Sequence, residues 1–164
     1  EQGKNAVIPE IRKTNEWYLC EQKDNEFRPD NPNKDWKWLQ DKMFQMANIV
    51  NDSVFHFDID GCDDELKLIE YQKGGFYGWH TDFNAGTCSV RKLVGIVQLT
   101  DPSEYEGGDV QFGIQEKDTK EWYSMNKLKG SLTLFPAFLC HNVVPVSKGK
   151  RYVIQELFIG DHFK

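Results

Sequence analysis

Apolar residues in the first third of the chain recur at steps of three and four. The stripe consists of Trp36, Leu39, Met43, Met46 (with Ala47) and Val50. This spacing places the side chains on one face of an α-helix of about four turns. Asn31 or Asn33 could cap its start through a side-chain oxygen. The pattern therefore predicts a core-facing amphipathic helix around 33–51, preceded by a polar, proline-containing loop over 22–33.

From about residue 64 the pattern changes to short β-branched and aromatic runs separated by glycine, proline and aspartate. The runs cover residues 66–71, 93–99, 110–114, 132–135, 141–146 and 152–159. Short strands at such intervals are typical of a sandwich or barrel. The first run has no clean polar face, so we expect both of its faces to be covered. The pattern predicts one domain over 1–164, with a helix packed on a β-core of about 64–160.

Composition narrows the function classes. The chain of 164 residues has 20 basic and 26 acidic residues and a net charge of -6, which makes nucleic acid an unlikely partner. No apolar run approaches the ~20 residues that span a bilayer, and the first residues lack the apolar stretch of a signal peptide. Four cysteines lie at long, irregular spacings without a C-x-x-C motif. We therefore expect a cytoplasmic protein with reduced thiols, without a membrane partner and without a structural zinc site.

The sharpest local feature is the tripeptide His80-Thr81-Asp82. Residues at i and i+2 of a strand project to the same face, so the imidazole and the carboxylate could be two ligands of a 2-His-1-carboxylate iron site. The pattern is weak by itself, since about 0.6 such pairs arise by chance in this composition. A hydrogen-bonded surface pair is the alternative interpretation.

Four motifs in fixed order make the pattern more specific. They are Tyr71-x-x-Gly74-x-x-Tyr77-x-x-His80-x-Asp82, Leu99-Thr-Asp101-Pro-x-x-Tyr105-x-Gly107-Gly108-Asp109, Gly130-Ser-Leu-x-x-Phe135-Pro136 and His141-x-x-x-Pro145-Val146-x-x-Gly149-x-Arg151. With these motifs the sequence resembles the 2-oxoglutarate- and Fe(II)-dependent dioxygenase superfamily. The likeness is to its prolyl 4-hydroxylase-like branch of bacteria and phages, and it extends over about 12–163.

The resemblance implies a mainly β fold with flanking helices. In this family the core is a double-stranded β-helix, a cupin-like jelly roll, with an N-terminal helical buttress. The resemblance further implies that His80, Asp82 and His141 bind the metal and that Arg151 pairs with the C5 carboxylate of 2-oxoglutarate. A guanidinium suits that role because it forms a bidentate, charge-assisted pair with a carboxylate. Lys150, one position earlier, should face the other way.

Further contacts follow from the same resemblance. Tyr71 corresponds to a position whose hydroxyl helps to hold the cosubstrate, and Gln98 occupies a strand position from which relatives present a tyrosine or another side chain. Four aromatic residues should surround the mouth of the site and could hold the substrate, namely Tyr77, Trp79, Phe83 and Tyr105. Core or rim packing is the alternative role for such large rings.

The activity implied is oxidative decarboxylation of 2-oxoglutarate to succinate and CO2, coupled to hydroxylation of a C–H bond. The cofactors are Fe(II), 2-oxoglutarate and O2, with ascorbate as the reductant, and the expected substrate is a peptidyl prolyl or similar residue. Two alternatives within the enzymes are hydroxylation of a free amino acid or other small molecule, and oxidative demethylation of nucleic acid. A non-catalytic jelly-roll binding module is the alternative of another class. A cytoplasmic setting in a bacterial or phage-infected cell fits these expectations.

Overall fold

The computed structural model describes residues 4–8, 11–21, 34–63 and 65–163. Its strands are β1 (Lys4–Ile8), β2 (Arg12–Glu21), β3 (Gly61–Cys62), β4 (Glu65–Tyr71), β5 (Phe76–His80), β6 (Arg91–Gln98), β7 (Tyr105–Gly107), β8 (Val110–Gln115), β9 (Trp122–Ser124), β10 (Leu132–Pro136), β11 (His141–Val143), β12 (Val146–Gly149) and β13 (Arg151–Ile159). The α-helix α1 (Lys34–Val50) continues into a π-helical turn, Asn51–Phe55. Two short 3₁₀ turns, Gly86–Val90 and Pro102–Glu104, precede β6 and β7.

All strand pairings are antiparallel, and they form one long sheet and one short ladder. The long sheet has the order β10-β6-β13-β4-β2-β5-β11-β8-β9, with β1 beside β2 and β3 beside β13. The short ladder pairs β12 with β7. A buried apolar cluster joins side chains from β4, β6 and β13 to side chains from β8, β10 and β11. Because strands that lie far apart in the order share one cluster, the sheet curls around its interior.

The side chains of the central strand β13 point alternately into two separate hydrophobic cores. Val153 and Leu157 belong to the interior cluster, whereas Ile154 and Phe158 belong to a second cluster beneath α1. Successive side chains of a strand point to opposite faces, so one strand can serve both cores. The same holds for β4, where Leu66 packs toward the helix and Ile69 toward the interior, which confirms that this strand is covered on both faces.

Helix α1 covers the outer face of the sheet through a narrower stripe than its sequence predicts. Met43 and Ala47 are buried, and Leu39 packs against the same cluster. Trp36 and Met46, which the periodicity assigns to the core face, are 39% and 37% exposed. The prediction was wrong for these two side chains because the helix contacts the curved sheet along one line, which leaves the margins of the stripe in solvent.

Each of the six predicted runs contains an observed strand. The run over 141–146 is divided into β11 and β12 around Pro145, which has no N–H for a ladder. The hydrophobic pattern does not predict β1 or β2, so the N-terminal part contains strands beside its helix. In β2 the buried side chains of Thr14 and Glu16 are polar, so no apolar alternation marks the strand.

The predicted loop over 22–33 and the predicted caps Asn31 and Asn33 lie outside the described residues. Among the helices that the structure describes, none has the length and apolar character needed to cross a membrane.

Candidate metal centre

Two histidines from different strands meet inside the curled sheet. His80, the last residue of β5, is the register partner of His141, the first residue of β11, and their ring centroids are 4.1 Å apart. The carboxylate of Asp82 completes the group, with Oδ1 4.0 Å from His80 Nε2 and Oδ2 3.6 Å from His141 Nε2. The three ligand atoms lie within 4.8 Å of one another, which is close enough for all three to hold one metal ion.

Asp82 reaches the site by a route that differs from the expected one. Strand β5 ends at His80, so Asp82 lies beyond the strand and does not share a face with His80 through strand alternation. The backbone N–H groups of Asp82 and Phe83 instead both donate to the carbonyl of Ala137, at 3.0 and 3.1 Å. The turn after β10 therefore fixes Asp82, and the same turn leads into His141.

Backbone carbonyls select the tautomer of both imidazoles. His80 Nδ1 lies 2.8 Å from the carbonyl oxygen of Gly78, and His141 Nδ1 lies 2.9 Å from that of Leu139. A carbonyl only accepts, so each Nδ1 carries the hydrogen and each Nε2 presents a lone pair to the shared space. Burial and the neighbouring His141 lower the pKa of His80 to about 4. The neutral imidazole that a metal requires is therefore the form present at neutral pH.

A β-bulge aligns Tyr77 with His80. Tyr77 pairs with Val143 and His80 pairs with His141, so the four residues 77–80 of β5 oppose the three residues 141–143 of β11. The extra residue places Tyr77 and His80 on one side, where their rings stack at 3.5 Å with an interplanar angle of 12°. Regular alternation would separate these two side chains, and bulges commonly redirect side chains beside functional sites in this way. The guanidinium of Arg12 from β2 lies 4.8 Å from the Tyr77 ring centroid.

A buried cation, Arg151, lies on the inward face of β13, in the same curled interior as the histidines, and is 1% exposed. Its Nε donates to Gln98 Oε1 at 3.1 Å, whereas Nη2 is buried and has no hydrogen-bond partner within the described residues. Burial lowers the pKa of Arg151, although the group keeps its charge at neutral pH. A buried guanidinium nitrogen without an acceptor is costly, and a bound carboxylate would supply the acceptor.

The neighbours of Arg151 form a polar pocket around it. Tyr71 is its register partner on β4, with the guanidinium 5.5 Å from the ring centroid, and burial raises the pKa of the Tyr71 hydroxyl. Gln98 Nε2 donates to the carbonyl of Thr100 at 2.9 Å and to Tyr105 Oη at 3.2 Å. These bonds orient the Gln98 amide so that its oxygen faces Arg151.

Tyr105 lies elsewhere than predicted. The sequence assigns it to the mouth of the site, but it is 4% exposed and its Oη accepts from Gln98 Nε2 at 3.2 Å. The assignment to the mouth was wrong because Tyr105 is buried with Gln98, the residue that also bonds Arg151. At Gly108 the backbone φ is +64°, and an added Cβ would lie 3.1 Å from Arg151 Cδ. The Gly-Gly pair of the motif thus lets the backbone approach the guanidinium stem.

The other predicted aromatic residues lie in different surroundings. Trp79 is 44% exposed and its ring lies 4.9 Å from that of Trp122 on β9, a neighbour that the motifs do not indicate. Phe83 packs edge-to-face on Phe163 at 5.6 Å and is partly buried against the interior cluster. Lys150 lies between β12 and β13, is exposed and bonds Glu70 on the outer face, so it faces away from Arg151 as predicted, although it is not part of a strand.

Known proteins resemble the part of the chain that contains these candidate site residues. The model of the 2OG-Fe(II) oxygenase superfamily matches residues 66–158. A PKHD-type hydroxylase of Aliarcobacter butzleri is 33% identical over 90 residues, and one of Saccharophagus degradans is 38% identical over 88 residues. These matches cover 51% and 49% of the chain, but only 38% and 37% of the two relatives. The chain therefore corresponds to less than two fifths of their length.

Solved structures extend the likeness in fold to nearly the whole chain. A prolyl-4-hydroxylase of Pseudomonas putida has a TM-score of 0.69 at 18% identity, covering 98% of this chain and 78% of that one. A prolyl hydroxylase of Trichoplax adhaerens, in complex with a peptide of the hypoxia inducible factor oxygen degradation domain, has a TM-score of 0.69 at 16% identity. It covers 93% of this chain and 66% of that one.

These structures confirm the predicted mainly β jelly-roll fold. The family match extends from β4 to β13 and so includes the two histidines, the carboxylate and the buried arginine. The family uses Fe(II), 2-oxoglutarate and O2. A His-Asp-His group in one interior with an arginine whose Nη2 has no hydrogen-bond partner among the described residues fits that requirement. The chain belongs to the 2OG-Fe(II) oxygenase superfamily.

Proposed function

We propose that the chain is a 2-oxoglutarate-dependent hydroxylase in which His80, Asp82 and His141 hold Fe(II). The metal would supply the oxidising chemistry, in which O2 and 2-oxoglutarate give succinate, CO2 and one hydroxyl group on a substrate C–H bond. The chain contributes two imidazoles, whose Nδ1 atoms are held by backbone carbonyls, and one carboxylate. A facial ligand set of this type leaves the remaining positions open for the cosubstrate and O2.

The observation that carries this proposal is the unpartnered Nη2 of Arg151. A positive charge buried beside a potential metal site needs an anion, and the C5 carboxylate of 2-oxoglutarate has the right charge and planar geometry. Gln98 holds the guanidinium through Nε, which leaves the outer nitrogens for the ligand. Tyr71 would donate its hydroxyl to the same carboxylate, since burial keeps it protonated at neutral pH.

For the substrate we propose a peptidyl prolyl or similar residue. The relatives are named PKHD-type hydroxylases, and the Trichoplax adhaerens enzyme is bound to a peptide. The exposed rings of Trp79 and Trp122 form an apolar edge against which a pyrrolidine ring could pack. A free amino acid or another small molecule is the second candidate, because the pocket itself does not require a peptide.

Two alternatives have less support. The net charge of -6 disfavours a nucleic-acid demethylase, and a DNA-binding assay without salt-dependent affinity would eliminate that activity. A non-catalytic binding module would have no need of two histidines, a carboxylate and a buried guanidinium in one interior. Absence of Fe(II)-dependent 2-oxoglutarate binding in calorimetry would restore that interpretation.

Succinate release tests the proposed function. The full chain would be supplied with Fe(II), 2-oxoglutarate and ascorbate, which we propose as the reductant, together with proline-containing peptides and, separately, a metabolite set. We expect substrate-stimulated succinate with one hydroxyl added per succinate, and none with Asp82→Ala. Lys150→Gln, which changes the neighbouring exposed cation, should retain the activity. Wild-type chain that neither binds metal nor releases succinate with any substrate would refute the proposal.

A further inference from the structure

Strand β13 presents a second polar side chain to the site besides Arg151. Residues 151, 153, 155 and 157 share its inward face by alternation, and Arg151, Val153 and Leu157 are buried there. Gln155 is the remaining member of this row. Its amide Nε2 lies 3.5 Å from Oδ2 of Asp82, within donating distance of the carboxylate in the metal-binding group.

The backbone of Asp82 is fixed independently of Gln155. Its N–H donates to Ala137, and its carbonyl accepts from Arg91 Nη1 at 3.4 Å, while Arg91 is held by Asp63 at 2.8 Å. Since Asp82 lies beyond the end of β5, these bonds leave the rotation of the carboxylate about its side-chain torsions undetermined. Gln155 contacts the part of Asp82 that the backbone bonds do not hold.

Gln155 is well placed to hold that carboxylate. Its backbone lies in the middle of the sheet, in register with Lys67 of β4 on one side and Ile96 of β6 on the other. The amide is neutral, so it donates a hydrogen bond without neutralising the negative charge that a metal ion needs. Hydrogen-bonded partners of this kind orient the ligands of metal sites and strengthen metal binding.

We propose that Gln155 is a positioning residue of the metal centre. Its N–H engages Oδ2 of Asp82, which leaves Oδ1 as the free oxygen and keeps the carboxylate from taking two coordination positions. One position per ligand preserves the open sites that 2-oxoglutarate and O2 require. This inference rests on the proposed function, because it presupposes that Asp82 binds the metal.

Co(II) titration of the full apo chain without oxygen tests the inference. Gln155→Met keeps the length and bulk of the side chain but removes the donor, and we expect Co(II) affinity about tenfold weaker, with a shifted visible absorption of the bound ion. Gln115→Met is the matched control on the exposed part of β8 and should leave both unchanged. The unfolding temperature of the apo chain should not change in either variant.

The possible outcomes distinguish failure of the role of Gln155 from failure of the proposed function. Wild-type Co(II) affinity and spectrum in Gln155→Met would overturn the inference. A loss of Co(II) affinity accompanied by a lower unfolding temperature of the apo chain would also overturn it, because Gln155 would then be structural. If the wild type binds no Co(II), or Asp82→Ala binds it equally well, the proposed function fails together with this inference. If the wild type binds through Asp82 while Gln155→Met matches it, only the role of Gln155 is refuted.

Discussion

Arg151 combines two properties that rarely occur together: it is fully buried, and its Nη2 has no hydrogen-bond partner in the part of the chain that the structure describes. Its Nε is held by Gln98 and its stem passes against Gly108, so the guanidinium has one fixed orientation. At the scale of a single residue, the proposed recognition of 2-oxoglutarate therefore depends on the paired donors of the planar guanidinium and on room beside them for a carboxylate.

Arg151→Lys should separate the contribution of the paired guanidinium donors to 2-oxoglutarate binding from the contribution of the positive charge. Lysine keeps the positive charge but loses the paired donors and the bond to Gln98. A charge-assisted hydrogen bond contributes about 1.5–3 kcal/mol, so we expect 2-oxoglutarate to bind on the order of 10- to 100-fold more weakly. Calorimetric titration in the presence of Mn(II) measures the change, and metal affinity should stay close to wild type. Unchanged 2-oxoglutarate affinity would remove Arg151 from the cosubstrate site.

Gly108→Ala should weaken 2-oxoglutarate binding through crowding. The new Cβ would lie 3.0 Å from Val146 Cγ2 and 3.1 Å from Arg151 Cδ, at a φ of +64°. Gly130→Ala is a matched control, because its φ is +83° but no atom lies within 4 Å of the added Cβ. Both variants should lose about 1 kcal/mol of stability from backbone strain, as measured by urea unfolding. Only Gly108→Ala should also reduce 2-oxoglutarate affinity, and equal affinities in the two variants would contradict the crowding argument.

At the scale of elements, α1 is attached to the outer face of β4, β6 and β13 by a small number of side chains. Met43 and Ala47 meet Leu66, Leu93 and Phe158 there, while Met46 faces solvent one turn away. Because β13 also bears Arg151 and Gln155 on its other face, the helix supports the strand that supplies the site.

Two methionines of α1 offer a matched pair. Met43 is 2% exposed and Met46 is 37% exposed, so the cost of truncation should differ between them. We expect Met43→Ala to lower the free energy of unfolding by about 2–4 kcal/mol through lost burial and a cavity, and Met46→Ala by less than about 1 kcal/mol. Urea denaturation followed by circular dichroism measures both. Similar losses would indicate that both side chains face the core, as the sequence periodicity predicts.

At the scale of the whole molecule, the long sheet holds its two halves together through β2, β4 and β13. The carboxylate of Glu70 lies at this point and accepts from Asn15 at 2.7 Å, from Tyr152 at 2.6 Å and from Lys150 at 3.0 Å. Burial by itself would raise the pKa of Glu70, but these hydrogen bonds, with a further one from Gln72, outweigh burial and lower the pKa to about 2. One anion thereby joins three strands.

Acid should weaken the fold through Glu70. Its pKa is about 2 in the folded chain against an ordinary value of 4.5 for a glutamate, so the stabilisation is present above about pH 4.5 and is lost as the pH falls toward 2. We expect the wild type to lose on the order of 1 kcal/mol more than Glu70→Gln between pH 5 and about pH 3. Urea unfolding of both chains at the two pH values, without added metal, measures the difference. Parallel losses would show that Glu70 does not couple folding to pH.

The hydrophobic pattern and the motif spacing were sufficient to predict much of the fold and of the candidate site. The 3.6-residue period marked α1, and the β-branched runs marked the strands whose one or both faces are apolar. The pattern did not predict β2, because its buried positions Thr14 and Glu16 are polar. The periodicity misplaced the outer members of the helix stripe, because packing against a curved sheet decides which side chains of a helix are covered. The family resemblance misplaced Tyr105, which is buried with Gln98.

The sequence by itself determined the chemistry available to this protein: two imidazoles, a carboxylate and a guanidinium at motif positions. Strand alternation also places Arg151 on the same face as Val153 and Leu157. Only the tertiary structure decided that His80 and His141 are register partners, that Asp82 joins them from beyond its strand, and that Gln155 reaches its carboxylate. The physical reason is that side-chain periodicity follows from local backbone geometry. The meeting of distant strands follows from closure of the sheet around a shared core, which no short stretch of sequence encodes.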